Sequence, residues 1–560
     1  QDMIDQIKRV MPDQVRGQDL DKNFDVEFIP LAQTHLDERI DGGFIINVGD
    51  RMIIRILIVV GALILIIALI NFVNFFFALV PMRIKTVNTF KIFGCSKGQL
   101  RVNFISETIG LVIVSLSVAV LLVALCEDSP IAHYVTAPFE FSRNLTAVAL
   151  TVTIAFVMAI LTSIYPTIYI TSFSPMFTIK GRFGATSRGR ALRYTLITVQ
   201  MIISFMLICC VTFIKTQHSF MLTRNAGFDS QGVLSITLPQ SLWEASKGDR
   251  VYEQLKNDPR IKDAMRTSSG IIVELSGMIS SYSSEETGTS VTLQIWSADH
   301  GFLDFMDVEI VAGRNIRETD SVNYNIINET AYKQIGLDIN DPKIREAHSV
   351  IGVFKDFNFQ PLTKRIEPLA IRQLQPYYSI IYIRLNDIEQ RYQVEDAVKG
   401  MMLNVVPDCD VETSVFKTYN EEVAMLYAKE DNLTQLIGLF TVISIAISLI
   451  GIFGLVLFDT SHRTQEITVR RIHGATIGGI LWMINRSYLR LTLIAFVVAA
   501  PLSYQIITGW LEQYEYRTPI HLWIFGVILI LVALLVVAVV TIRSYRTASA
   551  NPTIQIRKNN

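Results

Sequence analysis

Residues 463–476 read Arg463-Thr-Gln-Glu466-Ile467-Thr-Val-Arg470-Arg471-Ile-His-Gly474-Ala475-Thr476. Residues 83–96, at an offset of 380, read Arg83-Ile-Lys-Thr-Val-Asn-Thr-Phe-Lys91-Ile-Phe-Gly94-Cys-Ser96. Both stretches open on a cation, keep a second one at Arg471 and Lys91, and close on glycine, a small residue and a hydroxyl side chain. A shift of 377 lays Ser174-Pro175 with Ile179-Lys180 on Asn551-Pro552 with Ile556-Arg557. Recurrence at a near-constant offset marks an internal repeat.

Long apolar blocks flank both stretches. The 560 residues are 50% hydrophobic and 18% charged, against about 25% charged in soluble domains. The net charge of −1 gives no global field to recruit nucleic acid. Five cysteines (Cys95, Cys126, Cys209, Cys210, Cys409) are too scattered for a disulfide framework or a CxxC metal site. Seven blocks are long enough to cross a hydrocarbon core of about 30 Å, which takes roughly 20 helical residues. They lie near Ile53–Val80, Ile109–Cys126, Leu145–Ile168, Tyr194–Ile214, Leu433–Leu457, Leu489–Trp510 and Trp523–Ile542. Span, cationic loop, span, loop, span and tail follow one another twice in the same direction, a parallel duplication. The expected fold is a membrane α-helical bundle of seven spans plus an α/β domain.

The expected domains are 1–50, the end of a first extracytoplasmic domain with its stalk; 51–185, a three-span unit; and 186–215, a linker and leading span. Residues 216–430 form a second extracytoplasmic domain and stalk, and 431–560 a second three-span unit with its tail. Lys and Arg crowd the loops after spans one, three and five and the C-terminal tail, whereas the loops after spans two and six carry only Arg143 and Arg517. By the positive-inside rule the C-terminus is cytoplasmic and the 215–430 region outside. Residues 1–50 are then outside too. The first copy spans about 185 residues against about 370 for the second, so symmetry predicts a further span, the eighth, and the rest of an outside domain ahead of residue 1.

Within the outside region Gly232–Leu238 and Ser379–Leu385 alternate as strands, and Val251–Leu255 and Val394–Val405 read as helices. Gly270–Thr292, rich in Ser, Thr and Gly, reads as a mobile loop or hairpin. Tyr419–Asn432, with Glu421, Glu422 and Tyr427, is helix-compatible and leads into span five as a stalk. The loop 463–485 predicts a short helix with one apolar face, a Gly-Ala-Thr break whose Thr476 caps the next helix, and that second helix. A basic amphipathic helix resting on the anionic inner leaflet is the plain alternative. The turn's recurrence in both copies favours a docking element.

The stretch Glu466-Ile467-Thr-Val-Arg470-Arg471-Ile-His-Gly474-Ala475 resembles the ATPase-contacting loop of the FtsX/MacB-type ABC transporter permeases. The tail Asn551-Pro552-Thr-Ile-Gln-Ile-Arg557 is similar to that family's closing motif. Ala312-Gly313-Arg314-Asn315, Asn325–Ala331 and Gly352–Gln360 resemble landmarks of the MacB-like periplasmic core domain. The resemblance implies a non-catalytic permease subunit in the bacterial inner membrane, in a duplicated form. A cytoplasmic ATPase dimer would hold the ATP and Mg, and this chain would bind no cofactor. Further partners implied are a periplasmic adaptor, a lipoprotein or an outer-membrane channel. The coupling residues carried over are Arg463, Glu466, Ile467, Arg470, Arg471, Gly474, Ala475 and Thr476, with Arg83, Lys91, Gly94 and Ser96 in the first copy. That copy has Thr86 for Glu466, Phe90 for Arg470 and Cys95 for Ala475, so unequal coupling is expected.

The implied action is mechanotransmission for export or extraction of a substrate. The rival is a non-transporting regulator of a cell-wall hydrolase or a sensor kinase. No Gly-Lys dipeptide occurs in the 560 residues, so they hold no Walker A loop. The eight histidines lack metal-ligand spacing. Asn71, Asn74 and Gln505 are the main intramembrane polar residues, with helix–helix hydrogen bonding favoured over a substrate path for the asparagines. No charge lies deep in a span, which disfavours an ion-coupled carrier. Phe357 and Phe359 read as core rather than as a partner surface.

Overall fold

The computed structural model describes residues 51–126, 129, 143–172, 187–224, 226–268, 270–271, 278–283, 290–321, 323–336, 343–345, 348–374 and 377–549. The chain divides into two compact units, Gln1–Val59 and Val60–Asn560, and the second holds the sheet domain and all of the helical bundle but its first turns. Residues 1–50, the linker motif Ser174–Lys180 and the tail motif Asn551–Arg557 lie outside the described residues.

Among the described residues seven helices are long and apolar enough to cross a membrane. Four of them, α1 (Arg51–Ile92), α2 (Lys97–Cys126), α3 (Leu145–Ser172) and α4 (Ser187–Thr223), precede the sheet domain, and three more come after it. Each runs beyond its apolar block. α4 is 37 residues long and continues past the expected end of its span to Thr223.

The polar region folds as β1 (Val233–Thr237), α5 (Ala245–Lys256), β2 (Ile261–Thr267), β3 (Met278–Ser283) and β4 (Ser290–Ala298). Next come α6 (Phe302–Met306), β5 (Ile310–Gly313), β6 (Tyr324–Asn328), α7 (Glu329–Ile335), β7 (Lys343–Arg345) and β8 (His348–Phe354). β9 (Leu369–Gln373), β10 (Ile380–Leu385), α8 (Arg391–Val405), β11 (Val415–Thr418) and α9 (Tyr419–Leu426) complete it. The chain then re-enters the bundle through α10 (Ala428–His462), α11 (Thr464–Ile472), α12 (Ile477–Leu511) and α13 (Trp523–Ser549).

The strands form one 11-stranded sheet in the order β11-β1-β10-β2-β4-β9-β6-β8-β5, with β3 on β4 and β7 on β8. β4–β9 and β6–β8 are parallel and the other pairs antiparallel. Parallel neighbours need crossovers, and α7 supplies one between β6 and β8. The Gly270–Thr292 stretch contains β3 and the start of β4, which pair antiparallel as a hairpin, one of the two forms its composition allows. β2 and β4 meet through the single pair Thr267–Ala298, so the sheet has two lobes. In one, α5 and α8 cover β1 and β10 through Val251, Leu255, Val394 and Val398. In the other, Ala331 and Ile335 of α7 cover Leu293, Ile327 and Val353.

The sequence landmarks of the domain have structural work. Gly313 sits at φ +72°, and a Cβ there or at Gly352 would strike the backbone of the other's strand segment, so both glycines permit the close β5–β8 approach. Asn328 caps α7 by accepting from Ala331 N at 3.0 Å. Asp356 accepts from Thr330 N at 3.1 Å and from Thr330 Oγ1 at 2.8 Å. Phe357 and Phe359 are buried in an aromatic cluster with Trp296, Phe302 and Phe354, core rather than partner surface.

In the bundle, buried α12 residues recur at Ile480, Ile484, Tyr488, Ala495, Ala499, Ser503, Ile507 and Leu511, a helical stripe facing α4, α10 and α13. The small side chains Ala495, Ala499 and Ser503 permit close helix approach where lipid removes the usual hydrophobic drive. Phe205 of α4 packs edge-on against Phe496, with centroids 5.6 Å apart.

Phe357 has partners on every side, so Phe357→Ala leaves a cavity. The sheet domain of the full chain should lose about 3–5 kcal/mol, read as a shift of its urea transition by tryptophan fluorescence. Exposed Lys355→Ala should stay within about 0.5 kcal/mol.

Candidate functional site

The two repeated stretches end in the same backbone device. In the second copy Gly474 lies at φ +88° after α11, Gly474 N donates to Arg471 O at 3.1 Å, and Ala475 N donates to Arg470 O at 3.0 Å. In the first, Gly94 lies at φ +92° after α1, Gly94 N donates to Lys91 O at 3.1 Å, and Cys95 N donates to Phe90 O at 3.0 Å. This pair of bonds is a Schellman motif, which needs the left-handed conformation that glycine enters without a Cβ penalty. The hydroxyl two residues on caps the next helix. Thr476 Oγ1 accepts from Gly479 N at 3.1 Å, and Ser96 Oγ accepts from Gln99 N at 3.2 Å. Gln99 reaches back to Ser96 N at 3.0 Å, a capping box the second copy lacks.

The approach to the turn differs between copies. α10 breaks at Arg463 (φ −92°, ψ 6°) before the short α11, whereas α1 runs unbroken to its turn. The separate short helix expected in the second loop is therefore present, while in the first copy the same stretch is the last part of a long helix.

α11 turns Ile467 and Thr468 inward but leaves its other apolar residues, Val469 and Ile472, exposed, so the one apolar face expected from the sequence is not buried as a unit. Ile467 is 1% exposed and joins the bundle core with Ile452, Ile480 and Ile484. It anchors the helix and cannot touch a partner directly. Glu466, Val469, Arg470 and Ile472 are exposed, with Arg470 paired to Glu466 at 2.7 Å and also contacting Met483. Arg471 donates to Ala475 O at 3.2 Å and so braces the turn. The acid sits in the first turn and the two cations in the last, complementing the helix dipole.

Three cations of the first copy, Arg83, Lys91 and Arg101, are bonded within the chain. Arg83 makes a double hydrogen bond with Glu107, at 2.6 Å each, and lies over Phe104. Lys91 Nζ donates to Thr171 O at 2.8 Å, and Arg101 Nε donates to Thr171 Oγ1 at 3.1 Å, both at the end of α3. Burial, with Lys97 and Arg101 nearby, lowers the Lys91 ammonium from its usual range. The exposed surface here is apolar: Phe90, Ile92 and Phe93, the last 83% exposed.

The far end of α10 meets the sheet domain. α9 opens with a capping box, in which Thr418 Oγ1 accepts from Glu421 N and Glu421 Oε2 accepts from Thr418 N. Glu421 also pairs with Arg391 of α8 at 2.7 Å. Glu422 is half-buried, accepting from Ser235 Oγ at 2.5 Å and facing the Tyr382 hydroxyl at 3.4 Å. The stalk does not run straight into span five. It kinks at Tyr427 (φ −103°, ψ 17°), whose buried ring packs on Met221, Leu362 and Tyr514 and whose hydroxyl accepts from Leu362 N at 2.9 Å.

Three further residues of this clamp leave little mark on the sequence pattern. Gln217, on the extension of α4, donates to Tyr516 O at 2.9 Å and accepts from Thr518 N at 2.8 Å. Tyr516 N donates to Leu362 O at 3.2 Å, and Arg224 lies 4.2 Å over the Tyr516 ring. Domain, leading span, stalk and the α12–α13 turn thus close on one another. The tyrosine pair Tyr514 and Tyr516 in the short loop is the available signal. Among the described residues no group of three or more His, Cys, Asp or Glu could hold a metal ion.

The two stalk acids have opposite pH signs. Burial raises the Glu422 carboxyl, so its contribution to stability is full below the ordinary carboxylate pKa and falls as pH rises through the higher folded value. The Arg391 hydrogen bond lowers Glu421, whose contribution is present at neutral pH and lost as pH falls through its folded value. Glu422→Gln should therefore flatten the neutral-side slope in thermal melts across the acid-to-neutral range. Glu421→Gln should destabilise chiefly at neutral pH.

The family model described as FtsX-like permease C-terminal matches the chain twice, over residues 58–175 and 438–552. No curated protein gives a significant match. Among solved structures, the periplasmic region of MacB from Actinobacillus actinomycetemcomitans aligns at 14% identity over 39% of this chain and 97% of that one, with a TM-score of 0.25. The extracellular domain of the noncanonic ABC-type transporter YknZ from Gram-positive bacteria aligns at 11% identity over 31% and 93%, with a TM-score of 0.23. The chain is a multi-pass membrane protein carrying the FtsX-like permease domain twice, in α1–α3 and in α10–α13, with a mixed α/β domain between them.

Proposed function

We propose that this chain is the permease subunit of an ATP-driven system and transmits force from a separate cytoplasmic ATPase dimer, which holds the ATP and Mg, to its own sheet domain. One observation carries the reading. α11 is fastened through Ile467 to the core shared by α10 and α12, while Glu466, Val469, Arg470 and Ile472 stay outside. A helix floating on the leaflet would slide when pushed, whereas an anchored one passes the push to whatever shares its core. That core includes α10, whose 35 residues reach about 50 Å to the Tyr427 clamp. Coupling between distant sites needs such a packed element with two arrangements.

The alternation of Lys and Arg between loops supports placing both glycine turns and the C-terminal end in the cytoplasm. The sheet domain is then periplasmic and the membrane a bacterial inner membrane. An adaptor, lipoprotein or outer-membrane channel would meet that domain during export or extraction. The bundle centre is filled by side chains, which favours work done by the domain over passage through the spans.

Unequal engagement follows from the surfaces. The second turn offers a paired acid and cation beside Val469 and Ile472, and the first offers Phe90, Ile92 and Phe93 with its cations already bonded. Charge reversal at Arg470 and Arg471 should abolish recovery of the ATPase in a pull-down, and Lys91→Glu should lower it less. Unchanged recovery with the double reversal rejects the docking assignment. An equal or larger loss with Lys91→Glu rejects the asymmetry.

A further inference from the structure

The offset of 380 that aligns the two turns also aligns Asn71 with Gly451 and Asn74 with Gly454. The first of these pairs meets in the structure, and Gly454 lies against Phe75, the neighbour of Asn74. Asn71 Nδ2 of α1 donates to Ile447 O of α10 at 3.1 Å. Ile447 is four residues before Gly451, and a helical Cβ leans toward the preceding turn, so a side chain at 451 would cover that carbonyl. A Cβ built on Gly451 would lie 2.8 Å from Asn71 Oδ1 and 3.2 Å from the Gln200 amide, and one built on Gly454 would lie 3.2 Å from the Phe75 ring. Asn74 and Gln200 are buried beside this crossing, and the Ser204 hydroxyl on the next turn of α4 bonds Ser448 at 2.7 Å.

The contact is complementary in one sense only. The first copy supplies an amide donor, and the second supplies a backbone carbonyl uncovered by glycine. Two first-copy helices crossing here would set Asn71 against Asn71, each covering its own Ile67 carbonyl. Two second-copy helices would set glycine against glycine with no donor. We propose that Asn71 and Gly451 form a donor–socket pair that selects, as the partner of each copy, the other copy of the same chain. The crossing is then filled by the two copies of one chain, and a second chain is excluded from it.

The test uses the full chain in detergent with a protease site inserted between residues 176 and 186, which separates the copies in sequence. After cleavage, retention of one fragment on the other's tag is measured, together with recovery of a differently tagged intact chain. The expected result is full fragment retention with no stoichiometric second chain. Asn71→Leu and Gly451→Asn should each lower retention by about tenfold. The exchange Asn71→Gly with Gly451→Asn moves the donor to α10 and uncovers Ile67 O, with room made by the flexible end of Gln200. It should restore retention, which a general folding defect would not allow. Separation of the wild-type fragments, stoichiometric recovery of a second chain, unchanged retention in both single variants, or no recovery in the exchange overturns the proposal.

Discussion

A peptide group inside hydrocarbon has no water to bond, and each one left unpaired costs several kcal/mol. The helices that cross are therefore continuous through the apolar core, and reversals are confined to the ends. There the chain must still satisfy the last carbonyls of one helix and the first amides of the next within a few residues. The left-handed glycine at 94 and at 474 does the first, and the hydroxyl at Ser96 and Thr476 does the second. A turn so fully bonded is rigid, which suits the docking role proposed for it. Because the span interiors admit so little irregular backbone, the proposed transmission of force would run through whole helices moving.

The clamp at the other end has the complementary form. No single element holds the sheet domain in place. The Tyr427 hydroxyl, the Leu362 backbone, Tyr516 and the Gln217 amide form a chain of hydrogen bonds through the stalk, the domain, the α12–α13 turn and α4. Four elements sharing a small apolar cluster with a saturated polar rim move together or not at all. The kink at Tyr427 lets α10 leave this cluster in its own direction while its hydrogen-bond ladder continues through Asp431 N to Tyr427 O at 2.9 Å.

How much of this is legible in the sequence depends on the range of the interaction. Spans, turns and caps are set by neighbouring residues, and all can be read, as can β1, β10 and α8. The β3–β4 hairpin is one of two forms its segment allows. The extension of α4 to Thr223 is not legible, because Lys215–Arg224 is polar and gains its helix by packing on α9 and the α12–α13 turn. Gln200 escapes notice because one amide barely lowers the hydropathy of its span, although it is among the most buried polar side chains of the bundle. The inward aim of Ile467 needs the bundle beside it, since periodicity gives a face but not what the face meets. Arg384, buried and bonded to Asp229 and to Phe305 O, is only a polar position in the alternating strand Ser379–Leu385, and alternation does not say that it is buried.

Duplication within one chain removes a constraint that symmetric dimers obey. In a two-fold dimer every residue at the axis faces its own copy, so an asparagine can be set only against an asparagine. Two copies encoded separately can diverge, and here the side chains have done so while the glycine turn has not. The turn backbone is the same to within 0.1 Å in its two closing bonds and a few degrees at its glycine, because any change would unbond a helix end. The side chains beside it have exchanged a cation for an aromatic ring, and the facing positions in the bundle have exchanged an amide for a hydrogen. Backbone geometry at the turn has been held while side-chain chemistry has split, which is the pattern the proposed action would produce, two halves moving as one pair while presenting different surfaces.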